Sequence, residues 1–176
     1  MLRITDNGNS EYVIIIRKNH SASEKTAAEE LAAYLKKITD AEIPVKTDDE
    51  KKTDHEIVIG FTNRGGKGKK ELGEEGFTIK TEGKRLFILG SEVRGALYGV
   101  YSFLEKCCGC RFYTDTCERV PKVNMLTVPE IDCTELPGFE YRNVYWFAQG
   151  GEMISAKLKN NGGMGHELTE RVGGGI

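Results

Sequence analysis

Five consecutive apolar residues, Tyr12 to Ile16 (YVIII), form the first clear element of the chain. A β-branched run with no polar alternation predicts a strand covered on both faces. Ser21 and Glu24 then have the spacing of a capping box, and Ala27, Ala28, Leu31, Ala32, Leu35 and Ile38 recur at steps of three and four. Residues 22–38 are therefore predicted as an amphipathic helix. Asp40 to Pro44 turns the chain, Pro44 to Lys46 allows a short strand, and the charged run Asp48 to Asp54 reads as a solvated loop. Glu56 to Phe61 (EIVIGF) is a second buried strand. Gly76 to Thr81 and Arg85 to Leu89 flank Glu82-Gly83-Lys84, the spacing of a β-hairpin. Glu92 to Cys107 places Val93, Leu97, Val100, Tyr101 and Leu104 on one helical face. Gly95 and Gly99 lie inside that helix. Each costs roughly 1 kcal/mol against alanine, so the pair marks a backbone approached closely by a sheet or a partner helix. Gly109 ends the helix, and Cys110 to Tyr113 reads as a further short strand.

From Val120 the pattern changes. Pro121, Pro129 and Pro137 recur at eight-residue intervals through a largely extended stretch, which reads as a linker lying across the domain. Beyond it, Tyr141 to Ala148 (YRNVYWFA) is predicted as a strand and Met153 to Asn160 as a short helix. Eight of the 21 glycines fall in the last 27 residues, a segment too short and too glycine-rich to bury a core of its own. The domain reading is an α+β body over residues 1–120, a linker over 121–138 and a terminal segment over 139–176. Proteases are expected to cut from about Pro137 onward more readily than within residues 10–115.

Composition narrows the function classes. The 176 residues carry 25 Lys plus Arg against 27 Asp plus Glu, and a net charge of −2 leaves no electrostatic footprint for nucleic acid or a membrane surface. No apolar run approaches the roughly 20 residues of a membrane span, and the start of the chain lacks the basic and apolar regions of an export signal. A chain of this length buries well over half of its unfolded surface, so neither disorder nor disulfide staples are required. Cys107, Cys108, Cys110, Cys117 and Cys133 are an odd set crowded into the second half, which fits free thiols in a reducing compartment and favours the cytoplasm. Cys107-Cys108-Gly109-Cys110 lacks the second two-ligand cluster of a zinc site, with Cys117 and Cys133 single and His20, His55 and His166 remote; no metal and no cofactor is assigned. One or two of these thiols read as small buried hydrophobes where the second helix meets the next strand. The basic loop Thr62 to Lys70 (TNRGGKGKK) fails as a phosphate cradle, because Gly66 stands where lysine is required and no Ser or Thr follows either Gly-Lys pair.

One stretch carries a family pattern. Arg94-Gly-Ala-Leu-Tyr-Gly99-Val-Tyr-Ser-Phe-Leu-Glu105, followed by Gly109-Cys-Arg-Phe-Tyr113, resembles the R-G-x-L-Y-G-x-Y-x-F-L-E and G-x-R-W/F-Y/F segments of one superfamily. These belong to the N-terminal domain of microbial alpha-glucuronidases and to the related non-catalytic domain that precedes the barrel in beta-N-acetylhexosaminidases. The helix end Leu31 to Ile38, the strand Ile57-Val-Ile-Gly60 and Pro137-Gly-Phe-Glu-Tyr-Arg142 are similar to the same pattern more loosely. The resemblance implies an α+β fold with a mixed, largely antiparallel sheet and two core helices, free of catalytic residues. It also implies that the start of a (β/α)8 barrel follows, the barrel being the part that carries glycosidase chemistry. The residues after Arg142 supply at most the first strand and helix of such a barrel, so the catalytic part is expected to lie outside this chain.

Glycoside hydrolysis ordinarily needs two carboxylates about 5 to 10 Å apart across the scissile bond. Glu140, Glu152, Glu167 and Glu170 lie nearest the boundary, but nothing in their spacing pairs them, and no catalytic residue is assigned. Hexosaminidase-like barrels set an arginine at the end of the first strand on sugar hydroxyls. The resemblance carries that role to Arg142, although Asn143 stands where those enzymes have glycine; the other reading is a structural ion pair. Trp146 is a candidate for stacking on a sugar ring, or for packing beside Tyr145 and Phe147. His166 is a candidate contact to a polar ligand, or an ordinary loop histidine. The expected function is a non-catalytic N-terminal accessory domain of a carbohydrate-active glycoside hydrolase, alpha-glucuronidase or hexosaminidase-like. Its expected partner is the downstream catalytic barrel of the same protein, with a carbohydrate as candidate ligand. The alternatives are an independent carbohydrate-binding or protein-interaction module, and a thiol or metal protein built on the cysteine cluster.

Overall fold

A computed structural model describes residues 1–66, 70–144, 151–163 and 167–175. In chain order its elements are β1 (Leu2–Asp6), β2 (Val13–Ile16), α1 (Ala22–Thr39), β3 (Val45–Thr47), β4 (Glu56–Ile59), β5 (Phe77–Glu82), β6 (Arg85–Gly90), α2 (Gly95–Cys107), β7 (Arg111–Phe112), β8 (Glu118–Arg119), β9 (Met125–Val128), β10 (Asp132–Glu135) and α3 (Glu152–Lys157). Short 3-10 turns occupy Lys70–Leu72 and Glu170–Val172. The main sheet runs β10-β5-β6-β4-β2-β3. Its β4–β6, β2–β4 and β2–β3 pairs are parallel, while β5–β6 and β10–β5 are antiparallel, as are the separate pairs β1–β9 and β7–β8. The fold is α+β with mixed, mostly antiparallel pairing, as the sequence predicts.

Period-two alternation assigns the two faces of the sheet. Ile14, Ile16, Ile57, Ile59, Ile79, Leu86 and Ile88 point into the core shared with α1 and α2. Val13, Ile15, Val58, Phe87 and Leu89 form a second cluster on the opposite face. Loops rather than helices cover that second face. The place a Gly66 Cβ would take lies 2.7 Å from Phe87 Cδ1, and Arg64 is buried with its Nε 3.3 Å from Glu56 Oε1. The basic loop thus contributes a structural arginine; its Lys67 to Lys69 lie outside the described residues.

The predicted capping box is present. Ser21 Oγ accepts the Glu24 amide at 3.1 Å and Glu24 Oε2 accepts the Ser21 amide at 2.8 Å, satisfying two N–H groups that helix geometry leaves free. The glycine pair of α2 also acts as its sequence implies. A Cβ on Gly95 would stand 2.5 Å from the Gly76 carbonyl oxygen, and one on Gly99 would stand 2.8 Å from Ile88 Cγ2 and 3.2 Å from Phe77 Cβ. The helix therefore rides directly on β5 and β6.

Residues 121–138, read as a linker, lie across the body as two strands: β9 pairs with β1 and β10 pairs with β5 at the sheet edge. The described part of the terminal segment has no separate core. Ile154, Ala156, Leu168 and Val172 are buried in the main core cluster, so the segment borrows the body's core instead of needing its own. Its helix spans Glu152–Lys157. Tyr141 to Val144 carry no strand, and the rest of the predicted strand lies outside the described residues.

Cys108 and Cys110 are buried, at the junction the sequence points to. Burial pushes the Cys108 thiol up and the Cys110 thiol up to about 11, whereas Cys117 is exposed. Because the thiolate is the reactive form, iodoacetamide is expected to label Cys117 first and to reach Cys108 and Cys110 only on unfolding; peptide mass mapping reads the order.

Candidate functional site

The signature helix α2 begins at an arginine that has no side-chain cap to offer. Its first amides are instead met by the turn before β5: the Glu74 carbonyl accepts from Arg94 N at 3.2 Å and Gly95 N at 2.9 Å. This contact brings Glu75, a carboxylate only 8% exposed, against the Arg94 guanidinium. Arg94 Nε donates to Glu75 Oε1 at 2.8 Å and its Nη2 to Glu74 Oε2 at 2.9 Å. Arg142 Nη2 donates to the other oxygen, Glu75 Oε2. Asn161 Nδ2 adds a bond to Glu75 Oε1 at 2.8 Å. One buried carboxylate thus holds two guanidiniums and an amide, which is how such a charge is kept without water.

Arg142 comes from the terminal segment, and two more of its donors reach main-chain carbonyls. Its Nε reaches the Lys159 carbonyl at 2.8 Å and its Nη1 the Phe139 carbonyl at 2.5 Å. Each guanidinium nitrogen of Arg142 thus has one protein acceptor, and the side chain is still 21% exposed. Trp146 and His166 lie outside the described residues. Of the acidic residues near the boundary, Glu152 Oε2 caps Thr169 through its amide at 3.1 Å and its hydroxyl at 2.6 Å, while the Glu140 carbonyl accepts from Asn161 Nδ2 at 2.6 Å.

Other residues of the signature helix face the same way. Tyr98 donates its hydroxyl to the Asn160 carbonyl at 3.0 Å; burial, with Glu75 adding to it, pushes the phenol up to about 12. Glu105 Oε2 accepts from Lys159 Nζ at 2.8 Å. Arg94 Nη1 donates to the Gly173 and Gly174 carbonyls at 3.1 and 3.2 Å. Arg94 at the N-cap and Tyr98 and Glu105 within the helix therefore hold Lys159, Asn160, Gly173 and Gly174, while Tyr101 turns inward to Glu30 Oε2 at 2.9 Å. Beside this grip, Leu136, Phe139, Tyr141 and Val144 stand exposed, Phe139 at 76%. A cleft of about 420 Å³ opens between the start of α1 and the end of the chain, with Arg17, His20, Ser21, Glu92, Val93 and Glu170 among its lining residues. Arg17 is paired there with both Glu24 and Glu92.

Sequence reasoning found Arg94 as part of a motif but not its partners. Glu74 and Glu75 sit in the stretch between the basic loop and the hairpin, to which the sequence assigns no element, and Asn161 sits in a glycine-rich stretch. The available signal was Arg94 itself, since an arginine buried at the head of an apolar helix requires a counter-charge.

This α+β body, with a helix motif that holds the next segment, belongs to a class of N-terminal modules. The chain belongs to the glycosyl hydrolase family 67 N-terminus family, whose model matches residues 3–103. It is the N-terminal domain of a glycoside hydrolase-like protein. No curated protein matches the sequence. Among solved structures, a family GH115 4-O-methyl-alpha-glucuronidase with specificity for decorated arabinogalactans is similar, at 14% identity and a TM-score of 0.56 over 80% of this chain and 19% of that one. The GH20 beta-N-acetylhexosaminidase of Streptomyces coelicolor is similar at 18% identity and a TM-score of 0.51, over 80% of this chain and 24% of the enzyme. These likenesses are of fold, and the chain spans a quarter or less of either enzyme's length.

Proposed function

We propose that the chain is a non-catalytic accessory domain of a carbohydrate-active glycoside hydrolase, and that it packs against and supports a catalytic barrel following it in the same protein. The observation that carries this reading is the direction of the signature helix: Arg94, Tyr98 and Glu105 all hold the segment after Pro137. In proteins of this resemblance that segment leads into the barrel, so a motif spent on it positions the junction between the two parts. The exposed strip Leu136, Phe139, Tyr141 and Val144 supports the same reading, since apolar surface gains about 25 cal/mol per Å² when a neighbour covers it.

Alone, the chain is expected to hydrolyse neither aryl glucuronides nor aryl N-acetylhexosaminides, and to bind a separately produced barrel of its parent protein. Leu136→Asp with Phe139→Asp should weaken that binding by roughly tenfold or more while leaving the unfolding midpoint in place. Turnover by the chain alone overturns the accessory role. Saturable heat on titration with uronic acids, N-acetylhexosamines or xylo-oligosaccharides would favour a carbohydrate-binding module, with the cleft at Arg17 and His20 as its place.

A further inference from the structure

The chain contains the sequence Asn-Gly at Asn7-Gly8 and again at Asn161-Gly162, and the fold treats the two in opposite ways. Asparagine deamidates when the backbone nitrogen of the next residue attacks its side-chain carbonyl carbon. The new C–N bond closes a cyclic imide, the C–NH2 bond breaks and ammonia leaves; water then opens the ring to aspartate or isoaspartate. The net change is one water consumed and one ammonia released, with no redox partner. Glycine in second place favours the attack because it puts no Cβ in the way. What remains is geometric: the attacking N–H must be free and the asparagine amide must be able to turn.

Asn7-Gly8 meets both conditions. The pair forms the tip of the turn in which Asp6 and Asn9 exchange backbone hydrogen bonds at 2.9 and 3.0 Å. Among the described residues, Gly8 N donates no hydrogen bond, and nothing lies within 4 Å of where a Gly8 Cβ would be. Asn7 is exposed, and its amide is held by a single bond from Nδ2 to Asp6 Oδ1 at 2.8 Å.

Asn161-Gly162 meets neither. Asn161 is fully buried. Its Oδ1 accepts from Arg142 N at 2.8 Å, and its Nδ2 donates to Glu75 Oε1 at 2.8 Å and to the Glu140 carbonyl at 2.6 Å. The would-be nucleophile, Gly162 N, donates to the Arg142 carbonyl at 3.0 Å, and the Tyr141 ring fills the space beside it.

We propose that Asn7 is a site of spontaneous deamidation and that the cluster around Glu75 guards Asn161 from the same reaction. Conversion of Asn7 removes its bond to Asp6 and sets a second carboxylate beside the first; an isoaspartate there also lengthens the main chain inside the turn that leads out of β1. Conversion of Asn161 would be more disruptive, because it would press a new carboxylate against Glu75.

Trypsin separates the two sites, into Ile4–Arg17 and Asn160–Arg171, so peptide mass spectrometry of the whole chain aged in mildly alkaline buffer follows both at once. Asn7 is expected to convert roughly tenfold or more faster than Asn161 in the folded chain, and the two rates should converge in concentrated urea, where local protection is gone. In a folded Glu75→Ala chain, Asn161 should speed up while Asn7 keeps its rate. Equal rates in the folded wild-type chain, or a faster Asn161, overturn the proposal without recourse to any variant. An unchanged Asn161 rate in the folded variant overturns the guarding role of Glu75.

Discussion

Replacing Glu75 with alanine is expected to lower unfolding free energy by about 3–5 kcal/mol, the usual cost of removing one partner from a buried ion pair. The carboxylate is the shared acceptor of Arg94, Arg142 and Asn161. Without it, the Arg94 guanidinium, whose side chain is 4% exposed, keeps Glu74 and two glycine carbonyls as partners among the described residues. The loss should appear as a lower urea midpoint and as new protease cuts after Pro137, because Arg142 and Asn161 anchor that segment through the same carboxylate. Glu75→Gln retains hydrogen-bonding capacity but not charge, and should fall between the variant and the wild type. A Glu75→Ala chain within 1 kcal/mol or so of wild type would mean the cluster is not what ties the terminal segment down.

Gly95→Ala is expected to destabilise the chain by about 2–3 kcal/mol even though alanine is the better helix former by roughly 1 kcal/mol. A Cβ there meets the Gly76 carbonyl oxygen at 2.5 Å, a main-chain atom fixed by the sheet. Gly99→Ala is the informative contrast. Its Cβ meets the Ile88 side chain at 2.8 Å, which can shift, so the loss should be about 1 kcal/mol or less after the helix gain. Thermal unfolding of both variants checks the order. A more stable Gly95→Ala chain would contradict the close contact of α2 with β5 and β6.

These two sets of residues also show what the sequence could reveal. Ser21 and Glu24, the hairpin around Gly83 and the Gly95–Gly99 pair are local signals, each legible because its partner lies within a few residues or because a helix tolerates glycine only for a reason. β1 was not legible: Leu2 to Asp6 is short and mixed in polarity, and its partner β9 lies more than a hundred residues on. β10 was likewise an extended stretch between prolines until paired with β5. Arg142 was singled out for its chemistry, but the acceptor that claims it, Glu75, sits in a loop whose acidic residues look like ordinary surface charge. The burial of the terminal segment was hidden for the same reason, since glycine-rich composition says how little core a segment supplies and nothing about the core it can share.

We propose that the signature helix anchors the terminal segment while leaving the strip from Leu136 to Val144 open for a catalytic barrel. Hydrogen–deuterium exchange on the chain, alone and mixed with the separately produced barrel of its parent protein, tests both halves together. Residues 153–158 and 168–172 and the Arg142 amide should be protected in both samples, and residues 138–141 of the strip should exchange fast alone and slow once the barrel is added. A strip whose exchange the barrel leaves unchanged, or a terminal segment that exchanges freely in the chain alone, would contradict it.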